Sequence, residues 1–567
     1  MILVFGGTTE GRKAVEVLEE AGSPFYYSTK TDEQDIALHH GARLDGAMDE
    51  EAMLAFCQAH GIRLMVDAAH PFASQLHHTI AQVSESLNIP TIRYERIYPP
   101  RDPSFTWIDD YQQVPHDIHS LLATTGVQSI AKLKPLEAEG IKVVYRILNR
   151  ESSIQLAHQQ GASDDQLCFY PQMVEAEAIL MKESGESGGF TEKVEEAKQK
   201  GMRIIVLKRP QLSFRYHVNG PYGLRRAVEK LLPEFFPLHS GLTTGTCATA
   251  AAVAETLRRV KGETPMEVPV ILPNGETISV PVGYGDGYAY CIKEAGDDPD
   301  VTNGIEIRAK VEPSDNFEIV GGDGVGTFTL PGFDYPPGSP AINKAPRQMM
   351  RNNIEEQVRI TISVPRGAEI AKRTFNPRLG IKGGISIIGV SGIVKPFSEE
   401  AFIDSIRKCM TVAKASGTER VVINSGGKSE RYVKALYSTL PQQAFVEYGN
   451  YIGETLKIAN ELNIKNITLG VMLGKAVKLA AGHLDTHSRK ATMDKDFIRQ
   501  MLEEADIHVD LSAITLAREL WEMIPQDKIE EFCRVVLRHC IHHCQPLVSN
   551  TNLTLLLIGD DGTIHSL

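Results

Sequence analysis

The chain has 567 residues, of which 42% are hydrophobic and 23% are charged, and its formal net charge is −13. The chain is too long to fold around a single hydrophobic core, and its length predicts about three or four domains of roughly 100 to 200 residues each. The acidic balance argues against broad binding of nucleic acid, no apolar run predicts a membrane span, and a start without a signal-like segment indicates a cytoplasmic location.

The first predicted elements are a strand over Ile2–Phe5, a glycine-rich turn over residues 6–11 and an amphipathic helix. Glycines let the backbone approach a pyrophosphate closely, and a helix N-terminus offers unpaired amides and the positive end of a dipole. A glycine turn that opens a helix can also be purely structural, so this motif alone leaves nucleotide binding open. At the end of the second strand Ser28 and Lys30 stand where NADH would require a carboxylate, and none occurs before Asp32, which favours NADPH.

Three further segments of this half carry groups suited to an anionic substrate. His70, in the loop Asp67–Ala73, could supply a proton, although a loop histidine is often only a packing residue. The segment 93–101 supplies arginines that can pair with carboxylates and tyrosines that can stack on a flat ring, or it forms a solvated loop. The glycine-rich loop 182–197 precedes a helix and presents hydroxyls and a lysine, which indicates a second cradle for an anion.

Strands, glycine turns and helices alternate up to about residue 236, which predicts an α/β fold with two Rossmann-like parallel-sheet subdomains. A series of motifs in this order resembles the precorrin-6A reductase family: GGTTEG (6–11), DAAHPFA (67–73), ATTG (123–126), SGESGGFTEK (184–193) and KRP (208–210). The resemblance implies hydride transfer from a reduced nicotinamide, NADPH or NADH, to one double bond of a conjugated tetrapyrrole, with a proton supplied separately. It also implies that Asp67 and His70 are the catalytic residues.

Position in the family pattern and side-chain chemistry together predict two sets of binding residues in this half. The dinucleotide is expected to contact Gly6, Gly7, Thr8, Thr9, Glu10, Ser28 and Lys30. The tetrapyrrole is expected to contact Arg93, Arg96, Ser184, Gly185, Ser187, Thr191 and Lys193. The family often has aspartate where this chain has Glu183.

A proline-containing segment near Pro237 predicts the boundary between a first domain, 1–236, and a second domain, 239–567. Short runs of valine, glycine and proline beyond this boundary indicate strands and loops, which predicts an α+β part over 239–395. Helices and buried strands alternate again in the remainder, which predicts an α/β part over 396–567.

Several reactive groups of the second half have competing interpretations. The threonines of residues 243–246 precede an alanine-rich helix, where they can cap the helix or bind an anion. Cys247 is rejected as a nucleophile because no histidine lies nearby in sequence. The acids of residues 294–304 could be solvated, order a cation or take a proton. The HCIHHC stretch at 539–544 continues a helical pattern without a second ligand cluster, so no metal site is expected.

Two glycine-bearing turns, in residues 421–430 and 448–456, each join a predicted strand to a helix, as ligand sites of open α/β sheets require. These turns and five further stretches resemble the cobalt-precorrin-5B C(1)-methyltransferase family from about residue 239 onward. The stretches are LTTGTCATAAAVAE (242–255), EAGDDPDVTNG (294–304), PPGSPAINKAPRQM (336–349), FNPRLGIKGGISIIGVSG (375–392) and LGKAVKLAAGHLDTHSRKA (473–491). The resemblance implies transfer of a methyl group from S-adenosylmethionine to ring carbon 1 of the macrocycle.

The resemblance also implies site residues for this half. S-adenosylmethionine would contact Asn424, Ser425, Gly426, Gly427, Glu430, Asn450, Gly453 and Glu454. The macrocycle would contact Thr243, Thr244, Lys382, Gly383 and Gly384, with Asp297, Asp298 and Asp300 as candidate catalytic acids. The chain departs from the family pattern at Asn303, in the SGGKSE turn at 425–430, and at Val471 and Met472.

The implied product of the methyl transfer, cobalt-precorrin-6A, is the implied substrate of the reductase, so a fused chain would raise the local concentration of the intermediate. One alternative is that only one half is active and the other is a tetrapyrrole-binding module. Another is a reductase of a different substrate. The expected partners are therefore small tetrapyrroles, without nucleic acid or membrane, and self-association into a homo-oligomer is left open.

Overall fold

Residues 1–30, 36–488 and 490–567 are described by the structure, which is a computed structural model. Asp32, which bears on the choice between NADH and NADPH, lies outside these ranges. Among the described residues, no helix is long and apolar enough to span a membrane.

The chain divides into an N-terminal unit, Met1–Ser240 with Pro269–Ser279, and a C-terminal unit, Gly241–Val268 with Val280–Leu567. The strands of the N-terminal unit are β1 (Ile2–Phe5), β2 (Phe25–Thr29), β3 (Gly41–Asp45), β4 (Leu64–Asp67), β5 (Thr91–Tyr94), β6 (Thr106–Ile108), β7 (Ser120–Ala123), β8 (Lys142–Ile147), β9 (Leu167–Phe169), β10 (Ala178–Lys182), β11 (Arg203–Leu207) and β12 (Tyr216–Val218). Its helices are α1 (Thr9–Glu19), α2 (Glu50–Ala59), α3 (Ser74–Leu87), α4 (Ile130–Ala138), α5 (Glu151–Gln159), α6 (Phe190–Gln199) and α7 (Pro221–Leu231).

These strands form two sheets, with the orders β3-β2-β1-β4-β5-β12 and β9-β8-β7-β10-β11-β6. The strand pairs of both sheets are parallel. All residues of β1, β4 and β5 are buried, as expected for a parallel sheet that helices cover on both faces. The prediction of two Rossmann-like sheets in this half is confirmed.

The strand order of each sheet reverses direction at one position, between β1 and β4 in the first sheet and between β7 and β10 in the second. In open parallel sheets, ligands bind at the carboxyl ends of the strands beside such a switch point. The loops that follow these four strands include the glycine turn at 6–11, the His70 loop, the ATTG loop and the glycine loop at 183–189. The fold therefore places the motifs of this half at the carboxyl ends of the strands beside the two switch points.

The hairpin Pro269–Ser279 belongs to the N-terminal unit, although it follows the domain boundary in sequence. Its Glu276 carboxylate is buried and accepts a hydrogen bond from the Gly223 amide at 2.9 Å, in the first turn of α7. A Cβ on Gly220, the N-cap of α7, would lie 2.3 Å from Glu276 Oε2, so glycine gives the hairpin room to approach.

The C-terminal unit begins with a mainly antiparallel region. The strands β14 (Glu267–Ile271) and β15 (Thr277–Pro281) belong mostly to the hairpin of the N-terminal unit. The other strands of this region are β13 (Gly241–Leu242), β16 (Gly283–Gly285), β17 (Tyr288–Ile292), β18 (Glu306–Pro313), β19 (Glu318–Gly321), β20 (Thr327–Phe328), β21 (Val358–Ser363), β22 (Ile381–Lys382) and β23 (Ile393–Val394). Its helices are α8 (Thr244–Lys261), α9 (Lys344–Asn353) and α10 (Gly367–Ala371). One sheet has the order β16-β17-β18-β21-β19, and the alanine-rich α8 is buried along most of its length.

The rest of the C-terminal unit is built on a sheet with the order β25-β24-β26-β27-β28. Its strands are β24 (Arg420–Asn424), β25 (Phe445–Glu447), β26 (Asn466–Met472), β27 (Asn552–Ile558) and β28 (Ile564–Ser566). Its helices are α11 (Glu399–Ala415), α12 (Gly427–Leu436), α13 (Ile452–Glu461), α14 (Leu473–Ala480), α15 (Lys495–Glu504), α16 (Leu520–Met523) and α17 (Ile529–Cys544). The strands are parallel except β28, so β24 and β26 form a third switch point.

Candidate functional sites

The turn after β1 places two glycines just before the start of α1. Gly7 has φ +84° with open space on its Cβ side, whereas a Cβ on Gly6 would lie 2.3 Å from the Tyr27 ring. Thr8 is the N-cap of α1, and its hydroxyl donates to the Ala68 carbonyl at 2.7 Å. The glycines thus permit a close turn, and Thr8 ties the start of α1 to the loop that follows β4.

Asp67, at the end of β4, is buried in a fully paired network. Arg93 Nη1 donates to Asp67 Oδ1 at 2.9 Å, and His77 Nδ1 lies 2.6 Å from Asp67 Oδ2. The three side chains are at most 1% exposed. Arg93 Nη1 also donates to the Ala69 carbonyl at 3.0 Å. Arg93, which is predicted to contact the substrate, therefore holds Asp67 and the loop that carries His70.

His70 is partly buried in the same loop. The Phe72 amide donates to His70 Nδ1 at 3.2 Å, which leaves the proton of a neutral ring on Nε2. Burial lowers the pKa of His70 to about 4, and the charges of Arg96 and Lys182 act in the same direction. At neutral pH the ring is therefore neutral, and it offers a hydrogen bond from Nε2–H.

A buried ion pair joins the turn after β1 to the glycine loop after β10. Arg96 Nε donates to Glu10 Oε2 at 3.0 Å, and Arg96 Nη1 donates to the Ser184 carbonyl at 2.7 Å. The Ser187 hydroxyl donates to Glu10 Oε1. Burial acts to raise the pKa of Glu10, but the Ser187 hydrogen bond and the Arg96 charge outweigh it, so this pKa lies below its usual value. One predicted cofactor residue and three predicted substrate residues thus form a single network.

The remaining predicted residues of the glycine loop have different surroundings. Gly185 has φ +71°, and a Cβ there would lie 2.9 Å from Arg96 Cβ. Lys193 Nζ donates to the Gly188 carbonyl at 3.2 Å, and burial lowers the pKa of Lys193 to about 8. Thr191 is exposed in the first turn of α6.

The end of β2 lies beside the end of β1, with Ser28 in register with Phe5. Ser28 is buried there, Lys30 is exposed, and Thr9 is the first residue of α1. Arg43, on β3, has its Nη2 at 3.5 Å from Thr29 Oγ1. Arg43 is a cation that the sequence pattern did not single out, because only the pairing of β2 with β3 brings it there.

A basic cleft with a volume of about 560 Å³ lies at the carboxyl ends of the second sheet. Its cationic lining residues are Arg101, Lys132, Lys182, Lys208 and Arg209. Phe72, from the His70 loop, also lines it. Burial lowers the pKa of Lys182, and the charge of Lys132 adds to this effect. Lys132 and Lys182 are absent from the predicted site, although the position of Lys182 at the end of a buried strand could have indicated it.

Glu183 lies buried beside this cleft and neutralises part of its charge. Arg101 donates to both Glu183 oxygens, through Nε at 3.0 Å and Nη2 at 2.9 Å. Arg209 Nη1 donates to Glu183 Oε1 at 2.6 Å. Lys208 also has a carboxylate partner, Asp109, at 3.0 Å. Because Arg101, Arg209 and Lys208 are paired in this way, Lys182 and Lys132 are the cleft cations better placed to meet an anionic ligand.

In the C-terminal unit, β24 leads into a second glycine turn. Asn424 is buried, and its Oδ1 accepts a hydrogen bond from the Gly426 amide at 2.8 Å. The Ser425 and Ser429 hydroxyls lie 3.0 Å apart. Gly426 and Gly427 have φ of +89° and +50°, and Gly427 begins α12. The turn thus needs glycine at two successive positions and presents the start of a helix at the switch point.

Two acids and two cations surround this turn. Arg378 Nη2 donates to Glu430 Oε2 at 2.9 Å, and Arg378 Nη1 lies 3.8 Å from Glu447 Oε2. Burial raises the pKa of Glu447, and Glu430 also raises it, whereas Arg378 and Lys475 act in the opposite direction. Burial lowers the pKa of Lys475 to about 8. Of these residues, only Glu430 belongs to the predicted site.

The turn after β25 is held by a neighbouring segment. The Thr486 amide donates to the Asn450 carbonyl, and the Gly453 amide donates to the Leu484 carbonyl, each at 3.0 Å. A Cβ on Gly453 would lie 2.8 Å from Leu484 Cβ. Glu454 is half-exposed and pairs with a lysine of its own helix at 2.7 Å. The backbones of Asn450 and Gly453 therefore hold the segment after α14 in place.

Thr243 and Thr244 are buried at the start of α8. Thr243 caps the helix, since its Oγ1 accepts a hydrogen bond from the Thr246 amide at 3.1 Å. The Ile388 amide donates to Thr244 Oγ1 at 2.8 Å. The Thr244 hydroxyl thus connects α8 to the glycine-rich stretch that contains the other predicted macrocycle contacts, whereas the Thr243 hydroxyl caps α8 itself.

The predicted acids of this unit differ in burial and pairing. Asp300 Oδ2 accepts a hydrogen bond from the buried Lys293 at 2.8 Å, and its Oδ1 accepts from the Thr302 hydroxyl at 2.7 Å. Burial acts to raise the pKa of Asp300, but Lys293 and Thr302 outweigh it, so this pKa is lowered. Asp298 Oδ1 accepts from a backbone amide at 3.1 Å, and Asp297 is exposed.

The predicted KGG loop combines an exposed and a buried part. Lys382 and Gly383 are exposed, and Gly383 has φ +84° with open space on its Cβ side. Gly384 is buried, and a Cβ there would lie 2.1 Å from the Gly324 carbonyl oxygen. Two backbone segments therefore meet at Gly384, while Lys382 projects from an exposed turn.

The HCIHHC stretch lies in the last two turns of α17, as its helical pattern predicts. Cys540 and Cys544 are buried, and burial raises the pKa of both thiols. Within the described ranges, no group of three or more His, Cys, Asp or Glu side chains has the arrangement of a metal site.

Comparison with known proteins matches two families along the chain. The family described as Precorrin-6x reductase CbiJ/CobK matches residues 1–229, and the family described as CbiD matches residues 233–396. A cobalt-precorrin-5B C(1)-methyltransferase from Prosthecochloris aestuarii is 39% identical over 352 residues, which are 58% of this chain and 95% of that protein.

Two solved structures also match. The cobalamin biosynthesis protein CbiD from Archaeoglobus fulgidus is 30% identical, with 45% of this chain and 83% of that chain covered and a TM-score of 0.27. A structure described as CobK precorrin-6A reductase is 15% identical, with 41% of this chain and 96% of that chain covered and a TM-score of 0.33.

Proposed function

We propose that this chain catalyses two successive steps of corrin synthesis, because it belongs to the precorrin-6x reductase family over its N-terminal part and to the cobalt-precorrin-5B C(1)-methyltransferase family over its C-terminal part. The C-terminal half methylates cobalt-precorrin-5B at ring carbon 1, with S-adenosylmethionine as the donor. The N-terminal half reduces the resulting cobalt-precorrin-6A, or its metal-free form, to the precorrin-6B level with NADPH or NADH. The observation that carries this proposal is that two families match successive parts of one chain.

The nicotinamide cofactor fits the first switch point. The open Cβ side of Gly7 and the close turn at Gly6 leave the backbone accessible to a pyrophosphate at the start of α1. A bound reduced nicotinamide would supply the hydride. Ser28, Lys30 and Arg43 lie near the end of β2, where hydroxyls and cations favour the extra phosphate of NADPH. Glu10 acts indirectly in this proposal, since its carboxylate holds Arg96 and Ser187.

The tetrapyrrole substrate of the reductase fits the basic cleft. Its carboxylates would pair with the cations of the cleft, and its flat ring would contact Phe72 of the His70 loop. Asp67 and Arg93 act as positioning residues, because both are buried and hold the loop that carries His70. Ser184, Gly185, Ser187, Thr191 and Lys193 would complete the substrate loop.

The Lys182→Glu variant is expected to raise the KM for the tetrapyrrole about 10- to 100-fold, the range of one charge-assisted hydrogen bond. The KM for NADPH should stay within about twofold, because Lys182 lies in the cleft and the cofactor would lie at the other switch point. Lys198→Glu is a matched control, since Lys198 lies exposed on α6. Initial rates of NADPH oxidation measure both constants, and equal effects of the two variants would contradict this assignment.

His70 is proposed to hydrogen-bond the substrate through its neutral Nε2–H. Because its pKa lies at about 4, lowering the pH from 8 to 6 leaves the ring neutral, and its charge changes only in more acidic solution. The kcat/KM of reduction should therefore show no histidine ionisation between about pH 6 and 8. A titration in that range that disappears in the His70→Gln variant would show that the ring ionises near neutral pH, which would contradict this role.

In the methyltransferase half, the proposal assigns S-adenosylmethionine to the switch point of the third sheet. The glycine turn at 424–427 and the start of α12 would hold the donor, with Glu430, Asn450, Gly453 and Glu454 around it. Bound S-adenosylmethionine would supply an electrophilic methyl group, so the task of the protein is mainly to orient the two reactants. The macrocycle would contact Lys382 and the adjoining glycines.

The buried acids and threonines of this half have supporting roles in the proposal. Thr243, through its backbone amide, and Thr244, through its hydroxyl, connect the start of α8 to the stretch 386–392. Asp300 is ionised and held by Lys293, and Asp298 accepts a hydrogen bond from a backbone amide. Asp297 is the exposed acid of the three and is therefore the better candidate to meet substrate. We also propose the division of this half into an α+β part, 239–395, and an α/β part, 396–567, and a cytoplasmic location.

Two separate assays test this function. Cobalt-precorrin-5B with S-adenosylmethionine should yield S-adenosylhomocysteine, and precorrin-6A or cobalt-precorrin-6A with NADPH should consume NADPH under anaerobic conditions. Activity in only one assay would support the alternative in which the other half is a tetrapyrrole-binding module. Activity in neither assay would contradict the proposed function.

A further inference from the structure

Glu447 occupies a defined position beside the glycine turn of the third sheet. It is the last residue of β25, and it is in register with Asn424, the last residue of the neighbouring parallel strand β24. The glycine turn and α12 follow β24 directly. In open parallel sheets that begin with a strand, a glycine turn and a helix, an acidic side chain about 20 residues further on, at the end of the second strand, is placed to meet a ribose.

The carboxylate of Glu447 lies directly over this turn. A Cβ on Gly426 would lie 2.4 Å from Glu447 Oε1, so a larger residue at position 426 would displace the acid or the turn. The hydrogen bond from the Gly426 amide to Asn424 Oδ1 fixes the backbone beneath it. The acid and the proposed cradle therefore form one surface.

Glu447 has acceptor capacity available at this surface. Its side chain is 28% exposed, and no hydrogen bond to its carboxylate is formed within the described part of the chain. Arg378 Nη1 lies 3.8 Å away, beyond hydrogen-bond distance, and this buried nitrogen has no hydrogen-bond partner among the described residues. A charged acceptor and a charged donor are thus left side by side with unmet hydrogen-bonding capacity at a ligand-binding edge.

We propose that Glu447 binds both ribose hydroxyls of S-adenosylmethionine. An ionised carboxylate offers two acceptor oxygens, which match the two donors of a vicinal diol. The proposal rests on the methyltransferase function proposed above. The first sheet of the N-terminal unit differs at the equivalent place, because β2 ends in Ser28 and Thr29, which suits a phosphorylated ribose instead.

Calorimetric binding to the full chain tests this proposal, with S-adenosylhomocysteine and its 2′,3′-dideoxy analogue as probes. The Glu447→Ala variant should bind S-adenosylhomocysteine about 10- to 100-fold more weakly than the wild type, the effect of losing hydrogen bonds to a charged group. The affinity for the dideoxy analogue, which lacks both donors, should be the same in the two proteins. Glu461→Ala is a matched control, because Glu461 is 56% exposed and pairs with Arg407 away from the turn.

The Glu447→Gln variant keeps the shape of the side chain and serves if the alanine variant does not fold. It should also lower the affinity for S-adenosylhomocysteine without changing the affinity for the dideoxy analogue, since a neutral amide accepts hydrogen bonds less strongly than a carboxylate. An equal loss of affinity for both probes, or no loss for either, would overturn the role of Glu447. Absence of binding by the wild type would instead contradict the proposed methyltransferase function.

Discussion

The Gly426→Ala variant is expected to lose binding of S-adenosylmethionine while it keeps NADPH-dependent reduction. A Cβ at this position would lie 2.4 Å from Glu447 Oε1, and the backbone has φ +89°, which side chains rarely adopt. The turn must therefore shift, and a displacement of about 1 Å in a positioned site can lower activity about 100-fold. Calorimetry with S-adenosylhomocysteine and the rate of NADPH oxidation measure the two halves separately.

Gly417→Ala provides a control for backbone strain alone. Gly417 has φ +74°, but nothing lies within 4 Å of its Cβ position. Its cost should be limited to about 1–2 kcal/mol of stability from the left-handed conformation, with near-normal binding. Normal binding of S-adenosylhomocysteine by Gly426→Ala would show that the turn after β24 is not the donor site.

The Asp67→Ala variant is expected to inactivate and destabilise the N-terminal unit. It would remove the carboxylate that Arg93 and His77 share, and it would leave the guanidinium of Arg93, whose side chain is 1% exposed, paired with Glu95 at the longer distance of 3.4 Å. Breaking a buried pair from one side costs about 3–5 kcal/mol. The urea midpoint for unfolding of the N-terminal unit should therefore fall sharply, whereas S-adenosylhomocysteine binding in the absence of urea should persist.

Asp117→Ala is the matched control for this prediction. Asp117 pairs with Arg203 at 2.8 Å, but its side chain is 71% exposed, so its removal should change stability by no more than about 1 kcal/mol. A urea midpoint for Asp67→Ala that equals the midpoint for Asp117→Ala would show that the buried network does not stabilise the unit as described.

Local signals in the sequence were sufficient for the outline of the N-terminal half. The buried run Ile2–Phe5 and the glycine turn after it predicted the first strand, the turn and α1. Strands that are apolar at nearly every position and are separated by helices predicted parallel sheets, because helices cover both faces of such sheets. The helical pattern of residues 539–544 likewise predicted their place in α17.

The environment of each side chain could not be predicted in the same way, because it depends on residues that are distant in sequence. Nothing in the sequence around Arg93 indicates that it shares the Asp67 carboxylate with His77. The link between Arg378 and Glu447 arises only when the glycine-rich stretch meets the third sheet. The hairpin that carries Glu276 joins the N-terminal unit across the expected boundary, which no local composition indicates.

The central claim is that one chain carries both a methyl-transfer and a hydride-transfer activity. Its most direct test is to incubate the full chain with cobalt-precorrin-5B, S-adenosylmethionine and NADPH without oxygen, and to measure the mass of the tetrapyrrole product. We expect a product modified by one methyl transfer and one reduction, with two added hydrogen atoms from the reduction, and the change from reduction should disappear when NADPH is omitted. Recovery of the tetrapyrrole unmodified, or modified by only one of the two reactions, would show that the chain does not carry both activities.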